Sequence, residues 1–381
     1  MGRIGVMKSL IITISMVAIF FSGGMSCAAD IQIQTGTNFD WWESDNDDRG
    51  YQIYVPVRIQ TEYKDISFLM LTAFTHTASD LTGIKDHSLS CVVDTKANFS
   101  YEISDKFPAD ILLGLDFNIP TGRTDLDDDD LMLFMDPDLV SITSFGEGYN
   151  INPTLTLAKE WENWAAGIGL GYLWRGEYDF SKETRDYNPG DLFNLTGEVA
   201  YTFLPDWQAR LFGEYVYFYK DEVRNVDFYQ EGEFLLIGLG VNHYRTKWNT
   251  SFVVKGIFRG KSEFQEGVSV QDLRTEDRNS HGDEWSTRLS CNYYLNKKTT
   301  LRSFIRFLRV NENDYSSDSP LFIGEKQMAS LTLGITRIFS PRFEGELNLT
   351  GRILDDDKNW YYNDDRTYKG ISVGAKLKGN F

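Results

Sequence analysis

The alternation of apolar and polar side chains constrains the fold of this chain more than any other feature of its sequence. In residues 371–381, aliphatic, glycine or aromatic residues occupy every second position, and the chain ends on Phe381. A period of two residues is typical of a β-strand whose two faces have different surroundings. The same period recurs in residues 31–42, 53–59, 89–102, 110–119, 207–217 and 342–353. Repeated along a chain, such strands suit a barrel with lipid outside and water inside.

Two kinds of connection separate these strands, and they alternate along the chain. Short connections lie near residues 64–65, 104–107, 162–163, 205–206, 245–247, 296–298 and 340–341. Long polar connections lie near residues 43–49, 78–88, 120–147, 176–190, 221–230, 260–283, 311–325 and 355–366. This pattern predicts about 16 strands, within a range of about 12 to 16. We therefore predict an all-β, antiparallel, up-and-down transmembrane barrel with short periplasmic turns and long extracellular loops.

The N-terminal segment predicts export by a secretory signal. Arg3 and Lys8 make its start basic, residues 10–21 are apolar, and small residues follow at 26–29. The apolar stretch is too short to span a bilayer. We therefore predict a signal peptide at residues 1–29 and one barrel domain at residues 30–381, in the outer membrane of a Gram-negative cell. The formal net charge of -18 argues against nucleic acid as a partner.

Two cysteines remain beyond the predicted signal, Cys91 and Cys291. Both share parity with the apolar residues of their strands, and they are far apart in the chain. We therefore expect two unpaired cysteines that face lipid.

The longest connection, residues 120–147, combines acidic and apolar segments. A loop with both kinds of surface has something to bury, so we predict that it folds into the lumen as a constriction loop. The alternative is an external loop whose acids are solvated. The acidic run offers the oxygen ligands that Ca²⁺ prefers, but without EF-hand spacing, so no metal site is predicted. The acids of this run are Asp125, Asp127, Asp128, Asp129 and Asp130.

Strand parity predicts a polarised lumen, with acidic pore-lining residues on early strands and basic ones on late strands. Because the two sets would line different walls, we expect a transverse electric field across a water-filled pore. The alternative is that these charges form lumen pairs that only stabilise the barrel. The acidic set is Asp94, Glu102, Asp110, Asp116 and Glu160, and the basic set is Lys255, Arg259, Arg288, Arg302, Arg306, Arg352 and Lys376.

Catalytic chemistry has little support in the sequence. A lipase-like or protease-like barrel would need a base beside its nucleophile. None of the four histidines lies two residues from a serine on a strand face, and Cys/His metal spacings and glycine-rich phosphate loops are missing from the sequence. We therefore predict neither enzymatic activity nor a cofactor. The histidines are His76, His87, His243 and His281.

One stretch of the chain, from about residue 109 to residue 180, resembles a known family. Its motifs are Pro120-Thr121-Gly122, Phe145-Gly146-Glu147-Gly148, Asn152-Pro153-Thr154-Leu155 and Gly169-Leu170-Gly171-Tyr172. They resemble the outer-membrane proteins of the meta-pathway phenol-degradation family, distant relatives of long-chain fatty-acid channels. The resemblance implies an outer-membrane channel, with small apolar or aromatic compounds as one class of solute. Fatty-acid channels carry an N-terminal plug, whereas Ile31 begins a strand almost at the predicted cleavage site, which disfavours a plugged mechanism.

The function expected from these features is passive diffusion of small solutes, filtered by size at the third long loop and by charge across the lumen. Two alternatives stay open: a channel for apolar or aromatic compounds, and a structural or adhesion barrel whose acidic surface loops bind cations. Expected partners are outer-membrane lipid and lipopolysaccharide, the barrel assembly machinery and small solutes, and a homo-oligomer is left open. We predict that Phe381 is the assembly signal, because a terminal aromatic residue closing such a strand is typical of outer-membrane barrels.

Overall fold

The computed structural model describes residues 30–82, 86–265, 272–358 and 364–381. The signal peptide predicted at residues 1–29 lies outside the described residues. Sixteen antiparallel strands, numbered β1 to β16, form one sheet, in which β4 consists of two segments. They are β1 (Asp30–Ser44), β2 (Arg49–Tyr63), β3 (Ile66–Asp80), β4 (His87–Val92 and Thr95–Ile103), β5 (Asp110–Ile119), β6 (Asn150–Trp161), β7 (Trp164–Arg175), β8 (Leu192–Leu204), β9 (Trp207–Phe218), β10 (Phe234–Tyr244), β11 (Trp248–Arg259), β12 (Glu284–Asn296), β13 (Thr299–Val310), β14 (Lys326–Ile338), β15 (Phe343–Asp356) and β16 (Arg366–Asn380).

The sheet closes into a barrel because the last strand pairs with the first. β16 runs antiparallel to β1 over most of its length. The chain ends meet in two backbone hydrogen bonds, from Ile31 N to Phe381 O (3.0 Å) and from Phe381 N to Ile31 O (2.8 Å). Each of the other strands pairs with its neighbours in chain order. The predicted antiparallel, up-and-down barrel of 16 strands is confirmed, and its longest connections lie at one end. The connection predicted to be long at residues 43–49 is a short turn of residues 45–48, because β1 extends to Ser44 and β2 begins at Arg49.

The outer surface of the barrel is apolar. Large aliphatic side chains at alternate strand positions are about half exposed, including Leu333 (53%), Leu347 (58%) and Val373 (48%). Trp161 and Trp164, which flank a short turn, are exposed on the same surface. An apolar band of this extent is stable against lipid rather than water, and aromatic residues at its border match a membrane interface. The protein is therefore an outer-membrane barrel.

A bulge divides β4 and reverses which side of the sheet its residues face. Val92 pairs with Phe74 of β3, whereas Lys96 pairs with Leu71. Between these two pairs, β4 advances by four residues whereas β3 advances by three. One extra residue moves the side chains beyond it to the opposite face of the sheet. The bulge thus places the first segment of β4 in a different register from the second.

The bulge changes the position predicted for one of the two cysteines. Cys91 packs against a buried apolar cluster formed by Leu89, Leu126, Leu133 and Phe145, three of which belong to the third long loop. The prediction that Cys91 faces lipid is therefore wrong, because it assumes strict alternation along β4 and does not include the extra residue of the bulge. Cys291 shares the outward parity of the exposed Leu289. Both thiols are free.

The long loops at the extracellular end differ in organisation. Loops L3 (120–149), L4 (176–191), L5 (219–233) and L6 (260–283) follow β5, β7, β9 and β11. L3 contains the one-turn helix α1 (Asp128–Leu131). Within the part of the chain that is described, no helix has the length and hydrophobicity of a membrane span. L4, L5 and L6 pair into a second, five-stranded sheet, with strands at Tyr187–Asn188, Asp221–Val223, Val226–Gln230, Glu263–Gln265 and Leu273–Thr275.

Candidate permeation site

L3 lies in the extracellular mouth of the barrel and reaches the far wall. It connects β5 to β6, yet it contacts residues of β1, β2, β13, β14 and β15. In a closed ring of 16 strands, β14 lies opposite β6, so the loop crosses the lumen. Three of its wall contacts, Asp40, Arg306 and Arg352, each lie four residues inside the extracellular end of their strand. The loop is therefore inside the mouth rather than above it.

Acidic residues of L3 form ion pairs with basic residues of the far wall. Asp136 contacts Lys326 with an N···O distance of 2.5 Å. Asp138 contacts Lys326 at 2.9 Å and Arg306 at 3.0 Å. The side chains of Asp138 and Lys326 are only 10% and 18% exposed, so water screens their attraction less than at a surface. Arg352 donates to two backbone carbonyl oxygens of L3, at 3.0 and 2.7 Å.

Hydrogen bonds extend this attachment to β1 and β2. The Asp40 carboxylate accepts from Ser141 N at 3.1 Å and from Ser141 Oγ at 2.7 Å. Gln52 forms a reciprocal pair with Ile142: its Nε2 donates to Ile142 O at 2.9 Å, and its Oε1 accepts from Ile142 N at 2.7 Å. Asp40 and Gln52 are both buried. Because buried polar groups without partners are costly, these bonds fix the position of L3.

Apolar side chains fill the space between L3 and the wall. Burying each large side chain stabilises the protein by about 1.5–3 kcal/mol relative to leaving it exposed. L3 is thus packed as a core element, which accounts for the apolar residues in its sequence. One cluster combines Leu139 and Val140 of L3 with Trp42, Leu308, Met328, Leu354 and Tyr368 of the strands. The other combines Leu126, Leu133 and Phe145 of L3 with Leu89 of β4.

A single buried carboxylate holds the two ends of L3 together. Asp94, in the bulge of β4, accepts from Gly122 N near the start of the loop and from Glu147 N near its end, both at 2.7 Å. Asn118 Nδ2 donates to the same carboxylate at 2.6 Å. Asp94 is 7% exposed. The sequence pattern predicts an open pore-lining residue at this position. Asp94 is instead buried, because the bulge places its carboxylate where it binds both ends of L3.

The same clasp explains two glycine motifs of the sequence. A Cβ atom on Gly122 would lie 2.0 Å from the carbonyl oxygen of Phe145, so only glycine allows the two ends of L3 to approach. Gly148 has φ of +77°, in the left-handed region that favours glycine. Its carbonyl oxygen accepts from Asn118 Nδ2 at 2.6 Å. The motifs at residues 120–122 and 145–148 thus build the base of one loop.

The acidic run of L3 makes contacts within the loop and with L4. Asp127 caps α1, because its side chain accepts from Asp130 N at 2.9 Å, and it also pairs with Lys182 of L4 at 3.3 Å. The hydrogen bond from the Asp130 backbone holds the pKa of Asp127 below its usual range. Asp130 is buried and pairs with Arg123 at 2.5 Å and with His87 at 3.0 Å.

The far-wall contacts described above do not involve the five predicted constriction acids. Asp125, Asp128 and Asp129 are exposed, and Asp127 and Asp130 are bound as just described. The acids that reach across the lumen are Asp136 and Asp138 instead. The sequence alone does not single out these two, because their partners lie almost two hundred residues away in the chain. A search for acids of L3 that could meet inward-facing bases near the extracellular strand ends would have found them.

One group of side chains has the spacing of a metal site. Ligand atoms of His87, Asp127 and Asp130 all lie within 4.8 Å of one another. Arg123 and Lys182 already supply positive charge to these carboxylates. The arrangement is therefore an ion-pair network that joins L3 to β4 and L4, and it gives no reason to place a metal there.

The predicted acidic pore residues do not form one continuous wall. Asp116 accepts from two asparagine side-chain amides, at 2.6 and 3.1 Å, and is thus bound within the early strands. Glu102, Asp110 and Glu160 lie at the periplasmic ends of β4, β5 and β6. They are far along the barrel from L3, where the lumen is narrowed.

Most of the predicted basic pore residues have acidic partners. Arg302 contacts Glu346 at 2.7 Å, and Lys376 lies 4.0 Å from the same carboxylate. With Arg306 and Arg352 bound to L3, the basic wall of β13 to β16 is largely neutralised. These strands therefore supply only part of the positive charge that the expected transverse electric field requires.

Three further basic residues lie on β11 and β12. Arg259 contacts Glu231 of L5 at 2.7 Å, and Lys255 lies 3.9 Å from Glu284. The Arg288 guanidinium lies over the ring of Phe304, 5.6 Å from its centroid, and its residue is exposed. Within the described residues Arg288 forms no ion pair, and it therefore keeps an open positive charge.

Phe381 lies on the outer surface at the periplasmic end. It is exposed, and its ring centroid lies 6.0 Å from that of Phe343. Together with its backbone bonds to Ile31, this position closes the seam of the barrel. Its role as an assembly signal stays a prediction.

The sequence matches the family model described as "Putative MetA-pathway of phenol degradation" over residues 22–266, which is more than half of the chain. The chain belongs to this family. The matched region includes L3 and Asp94, so the family assignment covers the clasp as well as the barrel strands up to β11. With its closed barrel, this member of the family has the fold of an outer-membrane channel. No curated protein matched the sequence.

Several solved structures are similar to this family member. The anion-selective porin from Comamonas acidovorans is 13% identical, with a TM-score of 0.42 over 93% of this chain and 99% of that one. OpdQ from Pseudomonas aeruginosa is 10% identical, with a TM-score of 0.42 over 92% and 99%. A deltaS2 mutant of the TodX monoaromatic hydrocarbon channel is 11% identical, with a TM-score of 0.44 over 93% and 90%.

Proposed function

We propose that this protein conducts small solutes passively across the outer membrane, through a water-filled lumen that L3 narrows. The observation that carries this proposal is the attachment of L3 to the far wall by Asp136, Asp138 and Ser141. A loop held this firmly reduces the cross-section permanently rather than closing it at intervals. Barrels of about 16 strands are wide enough to leave an aqueous channel beside such a loop.

The inner surface supports polar rather than apolar passage. The apolar side chains that face inward near L3 are covered by the loop itself, in the two clusters described above. Further down, inward-facing positions carry paired charges such as Arg302 and Glu346, and hydrogen-bonded hydroxyls such as Thr332 and Thr350 (2.7 Å). A path of this kind would filter solutes by size at L3 and by charge along the wall. We propose no catalytic role.

Single-channel recording of the purified protein in planar bilayers tests this proposal. Steady conductance is expected, together with swelling of protein-containing liposomes in small uncharged sugars and a sharp decline for larger ones. Barrel folding would be checked by heat-modifiable gel mobility. A folded protein that neither conducts ions nor admits the smallest sugar would contradict the proposal.

A second candidate function is a channel for apolar or aromatic compounds. It is favoured by the family description and by an apolar cavity of about 610 Å³ between L6 and the loop that follows β13. Such a cavity could collect an apolar solute before it enters the barrel. Uptake of a hydrophobic fluorescent probe, compared between cells with and without the protein, separates this function from the first. The cavity is lined in part by Phe264, Tyr315, Pro320, Leu321 and Ile323.

A further inference from the structure

The attachment of L3 leaves one side of the lumen uncovered. L3 is bonded to residues of β13, β14, β15, β1 and β2. In a closed ring of 16 strands, β8 and β9 lie opposite β16 and β1. The strands around β8 and β9 therefore face L3 across the remaining gap.

The uncovered side is lined by glycines, over which larger side chains lie flat. Gly167, Gly169 and Gly171 occupy alternate, inward-facing positions of β7. On β10, a Cβ atom added to Gly238 would lie 2.1 Å from the ring of Phe212, and one added to Gly240 would lie 2.7 Å from Arg210 Nε. These two side chains can lie along the wall only because the glycines have no side chain. The wall is therefore shallow, which widens the gap opposite L3.

Exposure of charged side chains distinguishes the two sides. On the uncovered side, the side chains of Glu198 and Arg210 are 46% and 33% exposed. Where L3 is attached, the side chains of Arg352 on the wall and Asp138 of the loop are 12% and 10% exposed. A cavity of about 350 Å³ follows the uncovered wall and is lined in part by Thr196, Glu198, Phe212 and Glu214.

Two charges of opposite sign stay unpaired along this gap. Glu198 on β8 is paired with Arg210 on β9 at 3.5 Å. Glu214 on β9, which forms no ion pair within the described residues, and the exposed Arg288 on β12 lie three strands apart. Glu214 and Arg288 are each four residues from the extracellular ends of their strands, at the level of the L3 contacts. A solute in the gap therefore passes between a negative flank and a positive flank at its narrowest level.

We propose that solutes permeate along a crescent between L3 and β7–β12, and that Glu214 and Arg288 are its specificity-determining charges. This inference rests on the proposed channel function and adds to it the location of the path. The crescent would favour small solutes that carry both a positive and a negative group, since each group can face a flank of opposite sign. Neither residue belongs to the loop that narrows the pore.

Cysteine modification during bilayer recording tests the path and its charges together. The background variant carries Cys91→Ser and Cys291→Ser. Into it are introduced, one at a time, Thr196→Cys, which lies directly opposite Glu214 on the neighbouring strand, and Ser290→Cys, two residues from Arg288. Leu308→Cys is the matched control, because Leu308 faces inward at the same end but is buried under L3. Each is exposed to a cationic, trimethylammonium-bearing methanethiosulfonate and to an anionic, sulfonate-bearing one.

Both crescent cysteines should lose conductance on modification, with opposite reagent preferences. The cationic reagent should react faster at Thr196→Cys and the anionic one at Ser290→Cys, each by a factor of about 3 or more, as expected for a unit charge about 7 Å away in water. Leu308→Cys should stay unmodified. The preference at Thr196→Cys should disappear when Glu214→Gln is added.

The outcomes that overturn the inference differ from those that overturn the channel itself. Modification without loss of conductance, or the same reagent preference at both crescent sites, would place the path or its charges elsewhere in a working channel. Rapid block at Leu308→Cys would show that L3 does not cover the far wall. A folded background variant without conductance would remove the proposed function, and this inference with it.

Discussion

L3 and the group formed by L4, L5 and L6 are both long extracellular segments, yet their polar groups find hydrogen-bond partners in different ways. L4 to L6 pair their backbones with one another in a five-stranded sheet, for example at Tyr229 and Phe264. L3 has one helical turn and no strand of its own. Three backbone hydrogen bonds join its residues 125–126 to L4, and side chains hold the rest of the loop: Asp94 at its base, and Asp136 and Asp138 at the far wall.

This difference indicates why L3 folds into the mouth of the barrel whereas L4 to L6 stay at its rim. Backbone groups paired within a sheet need no further partners, so L4 to L6 can stand at the rim. A loop with little such pairing, like L3 beyond residues 125–126, must satisfy most of its backbone groups and bury its apolar side chains elsewhere. The inner wall of the mouth offers both, through Gln52 and Asp40 for hydrogen bonds and through Trp42 and Leu354 for packing.

Removing most of L3 should have the largest effect on permeation. Deletion of residues 124–144 takes away the segment that crosses the lumen, so single-channel conductance should rise severalfold. A shorter control deletion, residues 222–228 of L5, should leave conductance nearly unchanged, because L5 does not contribute to the segment that crosses the lumen. Equal conductance in the L3 deletion and the parent, with normal heat-modifiable mobility, would mean that L3 does not limit the pore.

Releasing L3 without deleting it should have a smaller effect. Asp136→Asn with Asp138→Asn leaves Lys326 and Arg306 without their carboxylate partners, which costs about 3–5 kcal/mol for a buried pair. The recordings should show flicker toward the level of the L3 deletion. Asp128→Asn with Asp129→Asn is the control, since it changes the same charge on exposed residues of the same loop. Identical recordings from the two double variants would contradict the ionic attachment.

Opening the clasp should have a local effect on L3. Asp94→Ala leaves the donors of Gly122, Glu147 and Asn118 without their partner, at about 1–3 kcal/mol for each donor that stays dry. Hydrogen exchange should accelerate in L3 and leave the L4 to L6 sheet protected.

A variant of L5 tests the opposite case, in which L4 and L5 are loosened and L3 is left unchanged. Asp221 accepts from Gly190 N at 2.7 Å and from the Tyr187 hydroxyl at 2.5 Å, which ties L4 to L5. Asp221→Ala should accelerate exchange in L4 and L5 and leave conductance unchanged. If either variant loosened both loop groups equally, the two would form one cooperative unit.

Acidification should produce the smallest effect, through one histidine of L6. Burial, with a smaller contribution from Arg259, holds the pKa of His281 below its ordinary 6.5, against the opposing effect of Glu231 and Glu276. His281 is therefore neutral in the folded loop but takes up a proton near its ordinary pKa when the loop opens. The stability that this provides is complete above that pKa and falls as the pH drops toward the lower folded value.

The measurement is hydrogen exchange in L6, corrected for intrinsic rates, at pH values of about 7.5 and about 5.5. Protection should fall at the lower pH, and His281→Gln should remove the difference. Equal protection of the parent protein at both pH values would show that His281 does not couple L6 to protonation.

Much of the barrel follows from local sequence, because a strand between lipid and water must alternate with a period of two residues. The parity of the late strands was sufficient to place Arg302, Arg306 and Arg352 inside. It failed at β4, where one extra residue at the bulge turned Leu89 and Cys91 inward and buried Asp94. The alternation of apolar and polar residues does not reveal a bulge, because a bulge is defined by how the strand pairs with its neighbour.

The sequence by itself therefore determined the number of strands, their two faces, the alternation of short and long connections and the mixed character of L3. Only the tertiary structure decided which wall L3 meets, and hence that Asp136 and Asp138 rather than Asp125 to Asp130 cross the lumen. It also decided which basic residues stay open, since Arg306 is neutralised and Arg288 is not. The physical reason is that strand faces are set by neighbours in the chain, whereas contacts across the lumen join residues that only closure of the ring brings together.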